Sequence, residues 1–184
     1  MNSGKRFEKD FKDSVPKGTW FYRFRDSPIS YYGGSDNENI RFAQDNICDC
    51  QLYLFPHLHL MELKTVATTS AALTTLFGKF DPDKRRYKRQ HHLEDMDAAA
   101  QHPGILSTVV INYSGTHHTY AVPARKVLGF LNEAINFGGR KSIPESWCRE
   151  NGLPVGQRQL KVNWRYDVAR LLEDLQQSEV PHDP

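Results

Sequence analysis

The chain of 184 residues has few cysteines, no long apolar run and a net charge of only +2. Its three cysteines, Cys48, Cys50 and Cys148, cannot form an even set of disulfides and indicate a reducing compartment. No apolar stretch approaches the roughly 18 residues that a bilayer-spanning helix needs, and residues 1–8 lack the apolar core of an export signal. These absences exclude a disulfide framework and predict a cytoplasmic protein without a membrane segment.

The length predicts one domain, which we place at residues 1–176 with a polar tail over 177–184. A chain of this size buries roughly 70% of its unfolded surface, enough for a real core. Positive charge is small in total but concentrated in one segment. Because local fields matter more than net charge, that segment predicts contact with the phosphate backbone of DNA. Its members are Lys79, Lys84, Arg85, Arg86, Lys88 and Arg89.

Two segments rich in strand-forming residues, 48–55 and 58–66, flank Pro56 and predict a β-hairpin. With Phe55 and Pro56 at the turn, Leu54 pairs with His57. This pair fixes the register of the hairpin, because each step back along the first strand is matched by one step forward along the second.

That register places Asp49 opposite Glu62, and strand alternation places Lys64 on the same face as Glu62. Cross-strand partners have Cβ atoms roughly 4.5–5.5 Å apart, close enough for one cation to bridge two carboxylates. Charges in such apolar surroundings are costly unless a metal or an ion pair compensates them. The pattern therefore predicts a divalent-metal site for cutting nucleic acid. The competing interpretation is a solvated sheet face on which Lys64 offsets the two acids.

A zinc site built from Cys48, Cys50, His57 and His59 is a weaker hypothesis, because the spacing matches no familiar ligand pattern. The long polar connection 26–46 contains Tyr31, Tyr32 and Arg41, for which we consider nucleic-acid contact or simple surface exposure.

The remaining pattern predicts α/β architecture, a mixed sheet with helices packed on its faces. Glu8 borders the apolar stripe of the first helix, where it either leans toward the core or pairs with Lys12. Gln90 shares the inward stripe of a later helix and needs a hydrogen-bond partner there. In chain order we expect helix 3–13, strand 19–25, the hairpin, a helix from Asp83 to about 102, strands 105–113 and 117–122, helix 124–135, irregular chain over 140–163 and helix 166–175.

This arrangement resembles the PD-(D/E)XK nuclease superfamily and, within it, RecU-type Holliday junction resolvases, including phage-encoded relatives. The similarity extends over about residues 2–175. Two features depart from the family: Ile47-Cys48 stands where a proline is usual, and region 26–46 is shorter than the stalk of RecU enzymes. The segments that carry the resemblance are Ser3-Gly4-Lys5-Arg6-Phe7-Glu8, Asp49, Glu62-Leu63-Lys64-Thr65, Arg89-Gln90 and Arg140-Lys141-Ser142-Ile143-Pro144.

The resemblance implies a restriction-endonuclease-like fold and a metal-dependent endonuclease that resolves four-way DNA junctions as a homodimer. By position, Asp49, Glu62 and the backbone carbonyl of Leu63 would bind Mg²⁺, or alternatively Mn²⁺. Lys64, Glu8 and Gln90 would be the catalytic residues. A phage-encoded protein would act in the host cytoplasm. Two alternatives stay open: a nuclease of the same superfamily acting on other DNA, and a DNA-binding protein without catalysis.

Overall fold

A six-stranded mixed sheet forms the centre of the chain in a computed structural model, which describes residues 3–24 and 46–178. The strand order is β1-β2-β3-β7-β8-β10, in which β3 and β7 are parallel and the other neighbours are antiparallel. Three two-stranded sheets accompany it, formed by β4 with β9, β5 with β6 and β11 with β12. The strands are β1 Trp20–Arg23, β2 Cys50–Leu54, β3 His57–Val66, β4 Ser70–Ala72, β5 Phe80–Asp81, β6 Arg86–Tyr87, β7 Ile105–Tyr113, β8 His118–Pro123, β9 Ser142–Pro144, β10 Leu153–Pro154, β11 Gln157–Gln159 and β12 Trp164–Tyr166.

Six helices lie in the described residues, and the prediction of a mixed α/β fold is confirmed. Within the described ranges, no helix has the length and apolar character required to cross a bilayer. Connection residues 25–45, with Tyr31, Tyr32 and Arg41, and tail residues 179–184 lie outside the described part of the chain. The helices are α1 Ser3–Lys12, α2 Leu73–Phe77, α3 Gln90–Ala99, α4 Ala124–Asn136, α5 Glu145–Asn151 and α6 Val168–Ser178.

The sheet separates two apolar cores. On the α3/α4 face, Leu60 of β3 and Val109 of β7 belong to the same cluster as Leu93 and Leu131. On the opposite α1/α6 face, Met61 belongs to a cluster with Phe7, Phe11, Tyr166 and Leu172. Because neighbouring residues of a strand point to opposite faces, β3 contributes to both cores. Glu62 and Lys64 alternate with Leu60, so both lie on the α3/α4 face.

The predicted helix start near Asp83 is wrong, since α3 begins at Gln90 and the segment before it forms the β5–β6 hairpin. Asp81 Oδ1 accepts hydrogen bonds from the N–H groups of Asp83 (3.0 Å) and Lys84 (3.1 Å). Arg85 then adopts a positive φ of 48°, which a helix interior does not allow. The hydrogen bonds from the backbone to the Asp81 side chain therefore compete with helix formation.

The prediction of irregular structure over 140–163 is also wrong, because β9, α5, β10 and β11 lie there. These elements are short and depend on distant partners. Ser142–Pro144 pairs with Ser70–Ala72, and Leu153 pairs with Ala121 of β8. The last helix begins at Val168, not Tyr166, because Tyr166 pairs with Gln157 in a small sheet.

Candidate active site

Asp49 immediately precedes β2, beside the strand that contains Glu62. The predicted hairpin register is confirmed over its described pairs, from Leu54 with His57 to Cys50 with Met61. Asp49 lies one residue beyond the last pair, and the same register continued would place it opposite Glu62. The Asp49 carbonyl accepts a hydrogen bond from Phe24 N–H at 3.1 Å, so the chain after β1 still runs alongside.

Beyond the last backbone pair of β2 and β3, the Asp49 carboxylate makes the next hydrogen bond to β3. Its Oδ2 atom accepts a hydrogen bond from the N–H of Leu63 at 2.7 Å. In an antiparallel ladder a paired residue directs its N–H and C=O to the same side. The Leu63 carbonyl therefore points toward the β2 side of β3, where Asp49 lies. Asp49 thus contacts the backbone of Leu63 through its N–H, while metal binding by the Leu63 carbonyl stays a prediction.

Glu62 and Lys64 form a nearly enclosed ion pair on the α3/α4 face. Lys64 Nζ donates to Glu62 Oε1, and the two side chains are 13% and 5% exposed, respectively. An ammonium this close compensates the burial of the carboxylate. This is the offsetting of charge that the competing interpretation expects, and it also holds a cationic donor beside Glu62.

The chemistry of these donors fits Mg²⁺ or Mn²⁺. The carboxylates of Asp49 and Glu62 and the carbonyl of Leu63 are hard oxygen ligands, which these cations prefer. Within residues 3–24 and 46–178, no three His, Cys, Asp or Glu side chains form a cluster ready to hold a metal ion. A magnesium ion commonly keeps several waters and is bound through one or two carboxylates, so a two-carboxylate set suffices.

The neighbouring cysteines have the properties of packed thiols. Burial raises the pKa of Cys48 to about 12, and burial with the neighbouring negative groups raises the pKa of Cys50 well above its ordinary value. The thiolate is the form that binds zinc, and both groups remain protonated at neutral pH. Cys48 Sγ donates to the carbonyl of Cys50 at 3.2 Å. The four residues of the zinc hypothesis all lie in the described part of the chain and form no cluster of three or more ready to hold a metal ion.

Glu8 lies on α1 and contacts the edge strand of the sheet. Arg23 of β1 donates to Glu8 Oε2, whose side chain is 20% exposed. Arg23 itself pairs with Cys50, the residue next to Asp49. Glu8 is therefore held at the Asp49 end of β2 by an arginine that the sequence prediction did not include. One of the two predicted positions of Glu8 paired it with Lys12, whereas the ion pair described here joins Glu8 to Arg23.

Gln90 is the first residue of α3 and is 6% exposed. Its Oε1 accepts the N–H of Tyr87 at 3.3 Å, and its Nε2 donates to Glu94 Oε1 at 3.0 Å. The expected partners of this buried amide are therefore found, and they connect α3 to the β5–β6 hairpin. Support of Lys64 by Gln90 stays a prediction.

The basic segment forms the β5–β6 hairpin and its flanks, which we call the basic hairpin (Lys79–Arg89). Arg86 donates to Glu94 Oε2 at 2.7 Å and so attaches the hairpin to α3. The other basic side chains of the segment are exposed, which suits contact with phosphates. These are Lys79, Lys84, Arg85, Lys88 and Arg89.

Aromatic residues near these sites were not among the predicted site residues. Trp20 and Tyr22 of the edge strand are 50% and 49% exposed, and their rings are nearly parallel with centroids 6.1 Å apart. Phe80 lies within the basic hairpin and is 38% exposed. The signal that could have identified Phe80 is the interleaving of aromatic and basic residues over 79–89, a pattern typical of nucleic-acid binding.

Comparisons with known proteins find one similarity over nearly the whole chain and one over a part of it. The chain is 26% identical over 193 aligned residues to the SPbeta prophage-derived uncharacterized protein YotM of Bacillus subtilis (strain 168), covering 99% of this chain and 91% of that protein. It is 34% identical over 70 residues to the Holliday junction resolvase RecU of Streptococcus sanguinis (strain SK36), covering 38% of this chain and 33% of the resolvase. No family model matches the chain.

Proposed function

We propose that the chain is a metal-dependent endodeoxyribonuclease that resolves Holliday junctions by paired nicks. The observation that supports the proposal is that Asp49 accepts the N–H of Leu63, the residue that stands between the ion-paired Glu62 and Lys64. Carboxylates that bind a divalent cation, with an amine nearby, can supply the activated water and the charge stabilisation that phosphodiester hydrolysis needs. The partial similarity to a resolvase supports the choice of DNA junctions as substrate.

Each residue has a distinct proposed role. Asp49, Glu62 and the Leu63 carbonyl would hold Mg²⁺ or Mn²⁺, which when bound supplies charge stabilisation and an activated water. Lys64, already held against Glu62, orients the attacking water or neutralises charge that develops on the phosphate. Glu8 would contribute through water, and Gln90 would support Lys64. The basic hairpin would bind the phosphate backbone with an affinity that falls with salt.

The test is a cleavage assay with purified protein and Mg²⁺ on a mobile four-way junction, with linear duplex and flap DNA alongside. We expect the junction to be cut. Asp49→Asn and Lys64→Met should reduce cutting at least 1,000-fold while junction binding, measured in Ca²⁺, changes less than threefold. Glu173→Gln, a carboxylate change at an exposed position of α6 on the opposite face of the sheet, is the matched control and should cut like the wild type.

The results separate the alternatives. Cutting that survives both Asp49→Asn and Lys64→Met would reject this active site. Equal cutting of linear, flap and junction DNA would keep the nuclease but reject junction selectivity. Junction binding without any product, and without an effect of Mg²⁺, would leave a non-catalytic DNA-binding protein.

A further inference from the structure

A cleft of about 570 Å³ opens beside the basic hairpin, next to the start of α3. Its volume lies within the roughly 300–1,000 Å³ that is common for small-molecule and cofactor sites. Phosphate contact alone needs only an exposed cation, not a concavity. The cleft therefore suits a ligand that has a bulky uncharged part as well as a charged group. Its lining includes Lys79, Phe80, Lys84, Tyr87, Lys88 and His91.

The cleft has an aromatic wall that is fixed in place. The Phe80 and Tyr87 rings have centroids 5.1 Å apart and are inclined by 60°. Tyr87 is 5% exposed and belongs to the α3/α4 core, and its N–H is held by Gln90. Phe80 is more exposed than Tyr87, so part of its ring is open to a ligand while Tyr87 supports it.

The rim of the cleft is cationic. Six basic residues between 79 and 89 are accompanied by two carboxylates, Asp81 and Asp83. Asp81 is engaged by the backbone of the turn, and Arg86 is paired with Glu94. Three exposed lysines, Lys79, Lys84 and Lys88, line the cleft together with the aromatic wall.

Backbone hydrogen bonds hold the base of the hairpin together, so the cleft is a fixed feature of the fold. Lys88 N–H donates to the Lys79 carbonyl at 3.0 Å, and Arg89 N–H donates to the Phe77 carbonyl at 2.8 Å. Gly78 has a φ of +81°, and a Cβ there would lie 3.2 Å from Lys88 Cβ. A glycine at this position allows the two sides of the hairpin to close.

We propose that this cleft binds one unpaired nucleotide of the DNA substrate, with its base against Phe80 and its phosphates on Lys79, Lys84 and Lys88. Bases inside a duplex present their faces to one another, so only an unstacked base can stack on a side chain. The inference rests on the proposed function, because it takes DNA as the substrate. It adds that the protein recognises branched DNA partly through a base that has left the stack.

The test measures binding without catalysis, in EDTA, by fluorescence anisotropy. One probe is a duplex with a single unpaired 2-aminopurine, and the other is the same duplex fully paired. Phe80→Ala should weaken binding of the first probe about tenfold or more and leave the second within twofold, since stacking on an aromatic side chain is lost. Lys84→Ala should weaken both probes, because phosphate contact does not depend on pairing.

Two controls make the result specific. Phe137→Ala removes a phenylalanine that is 85% exposed beyond α4 and should change neither probe. Phe80→Trp keeps a stacking surface and should retain the preference for the unpaired probe. The 2-aminopurine emission should be quenched by the wild type and by Phe80→Trp but not by Phe80→Ala.

Equal loss of affinity for both probes in Phe80→Ala, at an unchanged melting temperature, would overturn the inference. So would a wild type that binds the two probes alike. Failure of the nuclease proposal gives a different pattern, in which the probe preference and its dependence on Phe80 persist while no DNA is cut. Cutting without a probe preference would leave the nuclease and remove the nucleotide cleft.

Discussion

At the scale of single residues, the Glu62–Lys64 pair is an arrangement that is stable only while both charges are present. Glu62 is 4% exposed, so removing the ammonium leaves a buried carboxylate without compensation. Lys64→Met, which keeps most of the side-chain volume, should lower the free energy of unfolding by about 3 kcal/mol. Urea unfolding without divalent cations measures this loss.

The same variant gives a readout of metal binding that does not depend on activity. Millimolar Mg²⁺ should raise the melting temperature of Lys64→Met by several degrees, because a bound cation replaces the missing positive charge. The double variant Glu62→Gln with Lys64→Met has lost the carboxylate and should show a much smaller rise. Equal rises in the two proteins would place magnesium binding away from Glu62.

The free energy of unfolding should depend on pH through His59. The residue is fully buried, and burial lowers its pKa from 6.5 to about 4, with nearby His57 adding to the effect. Between these pH values the unfolded chain binds a proton that the folded chain does not bind, so stability falls as the pH falls. The slope is about 1.4 kcal/mol per pH unit, or about 2 kcal/mol between pH 6.5 and 5.

The measurement is urea unfolding at pH 7 and pH 5 for the wild type and His59→Leu. The variant should lose about 2 kcal/mol less than the wild type over this interval, because it lacks the titrating ring. Identical losses in the two proteins would show that His59 is not the group responsible.

At the scale of elements, the sequence was most informative where local chemistry and pairing agree. The hairpin register followed from the strand-forming runs on either side of Pro56, and its pairs from Leu54–His57 to Cys50–Met61 are those observed. The β7–β8 pairing followed in the same way from β-branched runs around a short turn. In both cases the residues that decide the structure are adjacent in the chain.

The elements that could not be predicted depend on contacts that are distant or easily misinterpreted. The basic segment consists largely of residues that helices tolerate, so its periodicity did not reveal the turn nucleated by Asp81. Strand β9 exists because Ser142–Pro144 meets Ser70–Ala72, about 70 positions earlier in the chain. Similarly, the Arg23–Glu8 ion pair at the candidate site joins two residues of different elements, α1 and β1.

A chain of polar side chains connects the central strands on the α1/α6 face. Thr65 Oγ1 donates to Asn112 Oδ1 at 3.0 Å, and Asn112 Nδ2 donates to Thr119 Oγ1 at 2.8 Å. Asn112 is 5% exposed, so its loss would leave two hydroxyl groups without their amide partner. Asn112→Leu should therefore lower the free energy of unfolding by about 2–3 kcal/mol.

A double-mutant cycle isolates the bond between Thr65 and Asn112. Thr65→Val should cost about 1 kcal/mol less in the Asn112→Leu background than in the wild type, because the bond is already absent. Ser178→Ala is the control, since α6 ends near Leu54, at the other end of β3 from Thr65. Its cost should add to that of Asn112→Leu; a coupling as large as that of Thr65 would contradict this account.

At the scale of the whole molecule, β3 connects the two cores to the candidate site. Its odd-numbered residues pack on the α1/α6 side, while Leu60 and Val66 pack on the α3/α4 side. Between those two residues, the strand presents Glu62 and Lys64 instead of apolar side chains. The central position of β3, paired with both β2 and β7, fixes the backbone of these residues. The candidate site thus uses a strand inside the sheet, which preorganises its donors.

The proposed homodimer leads to a last prediction, because a four-way junction has near two-fold symmetry and needs two cuts. A dimer of this 21.2 kDa chain should have twice that mass in analytical ultracentrifugation. It should convert a supercoiled plasmid that extrudes a cruciform directly to linear DNA, since both strands are nicked within one binding event. A dimer with one wild-type and one Asp49→Asn subunit, isolated through two different affinity tags, should instead produce nicked circles. Binding of one 21.2 kDa chain per junction, or a mixed dimer that still produces linear DNA, would show that the two nicks do not come from two paired active sites.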